Sequence, residues 1–207
     1  MAYTIEEEQE INEIKNWWNE NYKTIIVAVI LSVGGTFGWR YWQEHQANKA
    51  QQLSTQYEQI IYASQDVTAK NEKLDAFVKA NNKTAYATLA LLDKAKNAVN
   101  AQDYAQAEDA LKQAIEQSPD DIFSSISALR LASVQFQQQQ FDAALSSLNL
   151  VKDPTWNSRK ELLTGDILLA KGDKEGAKAR YQAAQKDASM LEQQWLQVRL
   201  NNLQIYR

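Results

Sequence analysis

The segments DYAQAEDAL (residues 103–111), QFDAALSSL (140–148) and DKEGAKARY (173–181) share one pattern of small and large residues. In each segment an alanine is followed four positions later by a large side chain, in the pairs Ala107 and Leu111, Ala144 and Leu148, and Ala177 and Tyr181. A further small residue stands twelve positions before each alanine, at Ala95, Ala132 and Gly165. Two antiparallel helices cross closely only where their side chains are small, and the large residue then fills the groove beside the crossing. The pattern therefore predicts three helical hairpins.

The three alanines are spaced 37 and 33 residues apart. These intervals bracket the 34-residue period of tetratricopeptide repeats, and Pro119 falls where the first repeat is expected to end. One such hairpin cannot bury its apolar face alone, so the repeats are expected to stack into an α-solenoid. An ordinary helical bundle with periodic alanine and leucine is the alternative, and the agreement of three units favours the repeats.

The composition favours an all-α fold. Glycine (6) and proline (2) are scarce among the 207 residues, and good helix formers dominate. The segment 81–84 is predicted to interrupt the helices, and Thr84 is predicted to cap the helix that follows. We expect a terminal capping helix from about Leu191, with Trp195, Val198 and Leu203 on one side of it.

Residues 24–39 are uncharged and read TIIVAVILSVGGTFGW. As a helix they extend roughly 24 Å, which is short of a hydrocarbon core of about 30 Å. Interfacial aromatic rings and a snorkelling arginine extend the span at its far end, namely Trp39, Arg40, Tyr41 and Trp42. We therefore predict an acidic segment over 1–23, a transmembrane anchor over 24–42 and a repeat domain over 43–207.

Two other interpretations of the apolar segment are weaker. A cleaved signal peptide needs a basic start, whereas residues 1–23 hold six glutamates and two lysines. A core helix of a soluble domain usually shows a polar stripe, which this segment lacks. The orientation stays open, because two basic residues precede the span (Lys15 and Lys23) and two follow it (Arg40 and Lys49).

Gly34 and Gly38 form a Gly-x-x-x-Gly pair within the span. Small residues at this spacing let two membrane helices approach closely, which makes the pair a candidate helix contact. Glycine is also simply common in transmembrane helices, so the alternative is that the pair has no partner.

The charges and the missing residue types exclude several classes of function. The net charge of −4 resides in residues 1–23, and the rest of the chain has equal numbers of acids and bases. Nucleic-acid binding normally needs a basic stripe, so no nucleic-acid partner is predicted. With no cysteine and His45 as the lone histidine, the sequence predicts no cofactor, no typical metal site and no nucleophilic dyad. An enzyme is therefore not predicted.

The first helix of each tetratricopeptide repeat lines a concave face, which is the predicted binding surface. Its candidate residues are Lys96, Val99 and Asn100 from the first repeat, Ser133, Phe136 and Gln137 from the second, and Arg159, Asp166 and Leu169 from the third. Apolar side chains mixed with neutral amides suit an extended polypeptide better than a strongly charged ligand. The alternative is that Val99, Phe136 and Leu169 pack against the next helix.

Several segments together carry a family resemblance. WWNEN (17–21), the apolar span and GWRYWQEHQ (38–46) resemble the YfgM family, the ancillary subunits of the bacterial Sec translocon. The similarity continues through TAYA (84–87), LLTGDILLAKGDKEGA (162–177) and NNL (201–203), so it covers the chain from end to end. The most specific part is GWRYW, since helical repeats alone are generic.

The resemblance implies a single-pass protein of the bacterial inner membrane, with a cytoplasmic N-terminus and a periplasmic helical domain. Implied partners are the SecYEG channel, a PpiD-type periplasmic chaperone, unfolded or nascent exported polypeptides, and membrane lipid. The family also implies restraint of an envelope-stress phosphorelay, and it offers no catalytic residues to carry over. A scaffold for cell-envelope assembly or cell division, built from the same repeats, is the alternative function.

Overall fold

The computed structural model describes the backbone of residues 5–63 and 66–205 and the side chains of residues 8–62 and 66–203. Residues 1–4 of the predicted acidic segment therefore lie outside the described part. The chain divides into two compact units, Met1–Leu53 and Ser54–Arg207. Over the described ranges the structure contains one 3-10 turn (Pro154–Trp156), no strand and nine α-helices: α1 (Ile5–Ala63), α2 (Val67–Ala80), α3 (Ala85–Asn100), α4 (Tyr104–Gln117), α5 (Asp121–Gln137), α6 (Phe141–Leu148), α7 (Asn157–Ala170), α8 (Lys174–Ala184) and α9 (Met190–Ile205).

The first unit consists of α1 as far as Leu53. Among the described helices, α1 alone is long and apolar enough to cross a membrane. Residues 26–50 are all exposed, so the apolar side chains of this segment are not part of a protein core. The alternative of a buried core helix is therefore wrong. The hydroxyls of Ser32 and Thr36 donate to helix carbonyls four residues earlier, at 2.8 and 2.7 Å, which satisfies them without water.

Three helical hairpins form the body of the second unit: α3 with α4, α5 with α6, and α7 with α8. Successive helices contact each other along the chain, and each first helix also contacts the first helix of the next hairpin. This is the stacking that the repeat pattern predicts. The predicted fold class, an N-terminal membrane-spanning helix followed by a tetratricopeptide-like α-solenoid, is confirmed.

The small and large positions of the repeats lie where the pattern places them. The small residues of both helices are buried, and so are the three large residues, Leu111, Leu148 and Tyr181. The crossing of α7 and α8 has no room for a side chain at its small position, because a Cβ atom at Gly165 would lie 2.6 Å from Cδ1 of Tyr181. Close helix approach therefore explains the choice of small residues.

Each hairpin turn contains one residue in the left-handed region. The residues are Gln102 (φ 60°), Gln139 (φ 60°) and Gly172 (φ 89°), which follow the same 37- and 33-residue spacing as the repeats. The next residue in each turn donates its backbone N–H to a carbonyl five residues earlier at 2.9 Å, in the pairs Asp103 to Ala98, Gln140 to Gln135, and Asp173 to Leu168. This hydrogen bond belongs to the Schellman motif that ends many helices.

Helices α2 and α9 cover the two ends of the array, against α3 and α8 respectively. Thr84 caps α3 as predicted, since its hydroxyl accepts from the N–H of Ala87 at 3.2 Å. Of the three residues predicted to share one side of α9, Leu203 packs against α8, whereas Trp195 and Val198 are each 59% exposed. Leu196 is fully buried instead, and Leu200 and Leu203 pack beside it against α8. These three leucines recur at i, i+4 and i+7, which is a continuous apolar face of a helix.

Candidate functional site

The predicted concave face has its residues on α3, α5 and α7, which lie next to each other in that order. The side chains of Lys96, Val99, Asn100, Ser133, Gln137, Arg159 and Leu169 are exposed. Phe136 and Asp166 are half-buried. The nine residues are therefore on the predicted helices, but they do not form one surface of uniform accessibility.

Phe136 packs into the interior of the second repeat. Its ring centroid lies 6.0 Å from that of Phe141, and it contacts the core cluster that includes Ala132, Ala144 and Leu148. This contact favours the packing alternative for Phe136. Val99 and Leu169 remain open to solvent.

An open groove of about 660 Å³ lies between α5, α7 and α9. It brings together three of the predicted residues, Ser133, Arg159 and Asp166. The groove is completed by side chains that the sequence did not single out as binding residues: Ile126, Leu129, Arg130, Trp156, Leu162, Leu163, Leu191, Glu192, Trp195 and Arg199. The predicted residues of α3 do not line it.

Two ion pairs tie α9 to α7 along the groove. Nε of Arg159 donates to Oε1 of Glu192 at 3.2 Å. The guanidinium of Arg199 binds both carboxylate oxygens of Asp166, at 2.7 and 2.9 Å. Tyr181 of α8 also donates its hydroxyl to Oδ1 of Asp166 at 2.7 Å. Asp166 therefore holds three helices together, and its carboxylate is occupied by protein donors.

Local interactions favour the charged forms of Glu192 and Arg199. The backbone N–H of Ser189 and the nearby Arg159 lower the pKa of Glu192. Hydrogen bonding to Asp166 raises the pKa of Arg199 above its ordinary value. Burial, together with the hydrogen bond to Asp166, raises the pKa of the Tyr181 hydroxyl. A general acid or base works best with a pKa near the ambient pH, so these groups suit binding and positioning rather than proton transfer.

The start of α9 sets which of its residues face the groove. Ser189 and Glu192 form a capping box: the N–H of Ser189 donates to Oε2 of Glu192 at 2.9 Å, and the N–H of Glu192 donates to Oγ of Ser189 at 3.4 Å. Because the leucine face of α9 points inward, Leu191 and Trp195 lie on successive turns of the helix and both face the groove. The spacing Ser-x-x-Glu is a sequence signal that would have located this helix start.

The candidate residues of the membrane segment lie in the first unit. Gly34 and Gly38 have no atom within 4 Å of an added Cβ, so no described part of the chain fills the space beside them. Trp39, Arg40, Tyr41 and Trp42 are exposed, and the rings of Trp39 and Trp42 are 5.3 Å apart. Among the residues that the structure describes, no group of three His, Cys, Asp or Glu side chains is placed to hold a metal ion.

Comparison with known proteins identifies the family. The model of a tetratricopeptide repeat-like domain matches residues 15–205. Three curated proteins named ancillary SecYEG translocon subunit align with nearly the whole chain. The protein of Aggregatibacter actinomycetemcomitans is 62% identical over 98% of this chain and 100% of its own length. That of Haemophilus influenzae is 57% identical over 98% and 100%. That of Escherichia coli is 35% identical over 96% and 97%. The chain therefore belongs to the tetratricopeptide repeat-like family whose curated members are named ancillary SecYEG translocon subunits.

Proposed function

We propose that this protein is a non-enzymatic, membrane-anchored scaffold that associates with the SecYEG translocon. The observation that carries the proposal is the full-length alignment, at up to 62% identity among the relatives described above, with proteins named as ancillary subunits of that channel. The fold supports a binding role, since stacked helical repeats present extended surfaces to partner proteins.

The proposed arrangement is an inner-membrane protein that crosses the bilayer once. Residues 1–23 lie in the cytoplasm, residues 24–42 span the membrane and residues 43–207 lie in the periplasm. The exposed apolar stretch of α1 and the aromatic residues at its far end support the anchor. The orientation rests on the family resemblance. A periplasm-active reporter enzyme fused after Arg207 should be active, and a cytoplasm-active reporter at the same position should be silent. The reverse pattern would place the repeats in the cytoplasm.

The periplasmic domain is proposed to hold a PpiD-type chaperone and newly exported polypeptides near the channel exit, and to restrain an envelope-stress phosphorelay. The membrane segment is proposed to contribute as well. Gly34 and Gly38 offer an open, side-chain-free strip at which a second transmembrane helix can approach closely. Trp39, Arg40, Tyr41 and Trp42 then fix the depth of the helix at the lipid interface.

Copurification tests the central claim. The tagged full-length chain is extracted from bacterial membranes in a mild detergent, and the recovered proteins are identified by mass spectrometry. We expect the channel subunits and a membrane-anchored prolyl isomerase. A control chain keeps the repeat domain but has residues 24–42 replaced by an unrelated apolar helix of equal length, which separates the contribution of the anchor from that of the repeats. Recovery of no channel subunit by the unaltered chain would overturn the proposal.

A further inference from the structure

The groove between α5, α7 and α9 is lined largely by apolar side chains, and those on α9 are exposed. Leu191 and Trp195 on α9 are 65% and 59% exposed. Ile126 on α5 and Leu162 and Leu163 on α7 are half-buried lining residues, and the lining also includes the buried Leu129. A contiguous apolar surface with a polar rim typically marks a binding site on a soluble domain.

The charges of the groove leave one cation without a partner. Its described lining contains three arginines and two carboxylates. Arg159 and Arg199 are paired with Glu192 and Asp166, as described above. Arg130 is exposed and makes no ion pair with any described residue. The groove therefore has a net positive charge, which favours an occupant with one carboxylate near its apolar part.

The spacing along α9 matches an extended chain. Leu191 and Trp195 are four residues apart on one helix, a rise of about 6 Å. Side chains at alternate positions of an extended polypeptide point to the same side and are about 6.6 Å apart. Two apolar side chains of one extended segment can thus contact Leu191 and Trp195 in succession, while a neighbouring acidic side chain reaches Arg130.

We propose that this groove binds an extended polypeptide segment that carries two apolar side chains at alternate positions and an acidic side chain beside them. The proposal rests on the proposed function, in which polypeptides are the partners, and adds a sequence preference to it. Arg130 sets the charge preference, and Leu191 with Trp195 sets the apolar preference.

Peptide binding to the full chain in lipid nanodiscs tests this preference. The probe is a short fluorescent peptide with leucines at two alternate positions and an adjacent glutamate in a Gly/Ser/Gln background. Matched peptides replace the glutamate by lysine or both leucines by serine. Fluorescence anisotropy should give a dissociation constant about tenfold lower for the Leu/Glu peptide than for either matched peptide.

Variants of the groove should change this preference. Trp195→Ser should weaken binding of the Leu/Glu peptide about tenfold, and Arg130→Glu should make the Leu/Lys peptide the tighter ligand. Two controls should leave binding unchanged. Val198→Ser alters an equally exposed apolar residue of α9 outside the groove, and Lys178→Glu reverses an exposed charge on α8 outside the groove. Circular dichroism verifies that all four variants fold.

Several outcomes would overturn the proposal. These are equal affinity for the Leu/Glu and Leu/Lys peptides, equal effects of groove and control variants, and no binding of any peptide. Binding of fluorescently labelled oleate, weakened by Trp195→Ser, without measurable affinity for any peptide would assign the groove to an anionic lipid chain. Self-association of the chain that Trp195→Ser abolishes would assign it to a second copy. If copurification recovers the translocon while no peptide binds, this inference fails and the proposed function stands.

Discussion

At the scale of single residues, Tyr181 couples packing to hydrogen bonding. Its ring covers Gly165 at the crossing of α7 and α8, and its hydroxyl donates to Asp166, which also binds Arg199 of α9. The ring is fully buried, so it has little room to move. Tyr181 thus links the packing of α7 against α8 to the attachment of α9.

Gly165→Ala should destabilise the protein although alanine is the better helix former. The helix propensity gains about 1 kcal/mol, but the new methyl group collides with the ring of Tyr181, and overpacking typically costs about 1–3 kcal/mol. Because the ring is held by its hydrogen bond to Asp166, we expect the collision to dominate. Chemical denaturation followed by circular dichroism measures the change.

A second substitution separates the collision from other effects of Gly165→Ala. Adding Tyr181→Leu recreates the Ala and Leu combination of the first two repeats. The double variant should therefore lose less free energy of unfolding than the two single variants lose together. Gln182→Ala, on the exposed side of α8, should change the free energy of unfolding by less than about 0.5 kcal/mol. If the effects of Gly165→Ala and Tyr181→Leu on the free energy of unfolding simply add, the assigned contact between these two residues is wrong.

The sequence predicts the packing residues better than the groove residues. Ala107, Ala144 and Ala177 were accessible to prediction because helix crossings repeat at a fixed local period. The pairing of Asp166 with Arg199 joins residues 33 positions apart through a helix that lies outside the repeat period, so no local pattern encodes it. The grouping of Trp195 and Val198 with Leu203 did not identify the buried face of α9, which is formed by Leu196, Leu200 and Leu203.

At the scale of secondary-structure elements, the second helices of the three hairpins begin differently. Asp103 and Asp173 cap α4 and α8 by accepting from the backbone N–H of Gln106 and Gly176, at 3.0 and 2.8 Å. Gln140 stands at the equivalent position of α6 and makes no side-chain capping hydrogen bond. The second repeat therefore lacks one stabilising interaction that its neighbours have.

Gln140→Asp should supply this missing cap. A good N-cap contributes about 1 kcal/mol, and the acidic side chain also interacts favourably with the helix dipole. We expect a higher free energy of unfolding, measured by chemical denaturation. The reverse changes, Asp103→Gln and Asp173→Gln, should each lose a comparable amount. A neutral or destabilising effect of Gln140→Asp would contradict the equivalence of the three turns.

The attachment of α9 should depend on pH through Glu192. The pKa of this carboxyl is lowered from its ordinary value of 4.5 by hydrogen bonds from Ser189 and by Arg159. A carboxyl with a lowered pKa in the folded state stabilises that state fully above its unfolded pKa, and this contribution is lost as pH falls through the folded pKa. Because Arg159 is largely exposed, Glu192→Gln should weaken the attachment of α9 at neutral pH by less than about 1 kcal/mol. The difference from wild type should shrink as pH falls from the ordinary carboxyl pKa of 4.5 through the lower pKa of the folded state.

Hydrogen exchange of the α9 amides, corrected for the intrinsic pH dependence of exchange, measures this difference. Glu175→Gln is the matched control, because Glu175 is exposed on α8 and its carboxylate makes no hydrogen bond or ion pair with any described residue. In the Glu175→Gln variant, the α9 amides should be as protected from exchange as in the wild type at every pH. A pH-independent effect of Glu192→Gln would show that the carboxylate charge contributes nothing to the attachment.

At the scale of the whole molecule, the last ten residues of α1 (54–63) belong to the second unit. Within that unit the hydroxyl of Tyr57 donates to Asp93, and its ring centroid lies 6.4 Å from that of Phe77 and 5.9 Å from that of Tyr86. Burial and the hydrogen bond to Asp93 raise the pKa of the Tyr57 hydroxyl, so it stays protonated and keeps donating at neutral pH. This cluster fixes the end of α1 to α2 and α3.

The boundary between anchor and repeat domain can be located with two fragments. Residues 43–207 should form a soluble, helical and monodisperse protein, because the three core clusters of the repeats and α9 draw all their residues from positions after 43. Residues 64–207 lack Tyr57, whose half-buried ring lies beside Phe77 and Tyr86, and its loss should cost about 2 kcal/mol, less than the loss of a fully buried ring. The shorter fragment should therefore unfold at lower denaturant concentration, and Tyr57→Phe in the longer fragment should lose only the part due to the hydroxyl, about 1 kcal/mol. Circular dichroism measures the helicity and the unfolding of both fragments, and light scattering measures whether they aggregate. Aggregation or loss of helicity in the longer fragment would mean that residues 24–42 belong to the core, and the assignment of this segment to the membrane would be wrong.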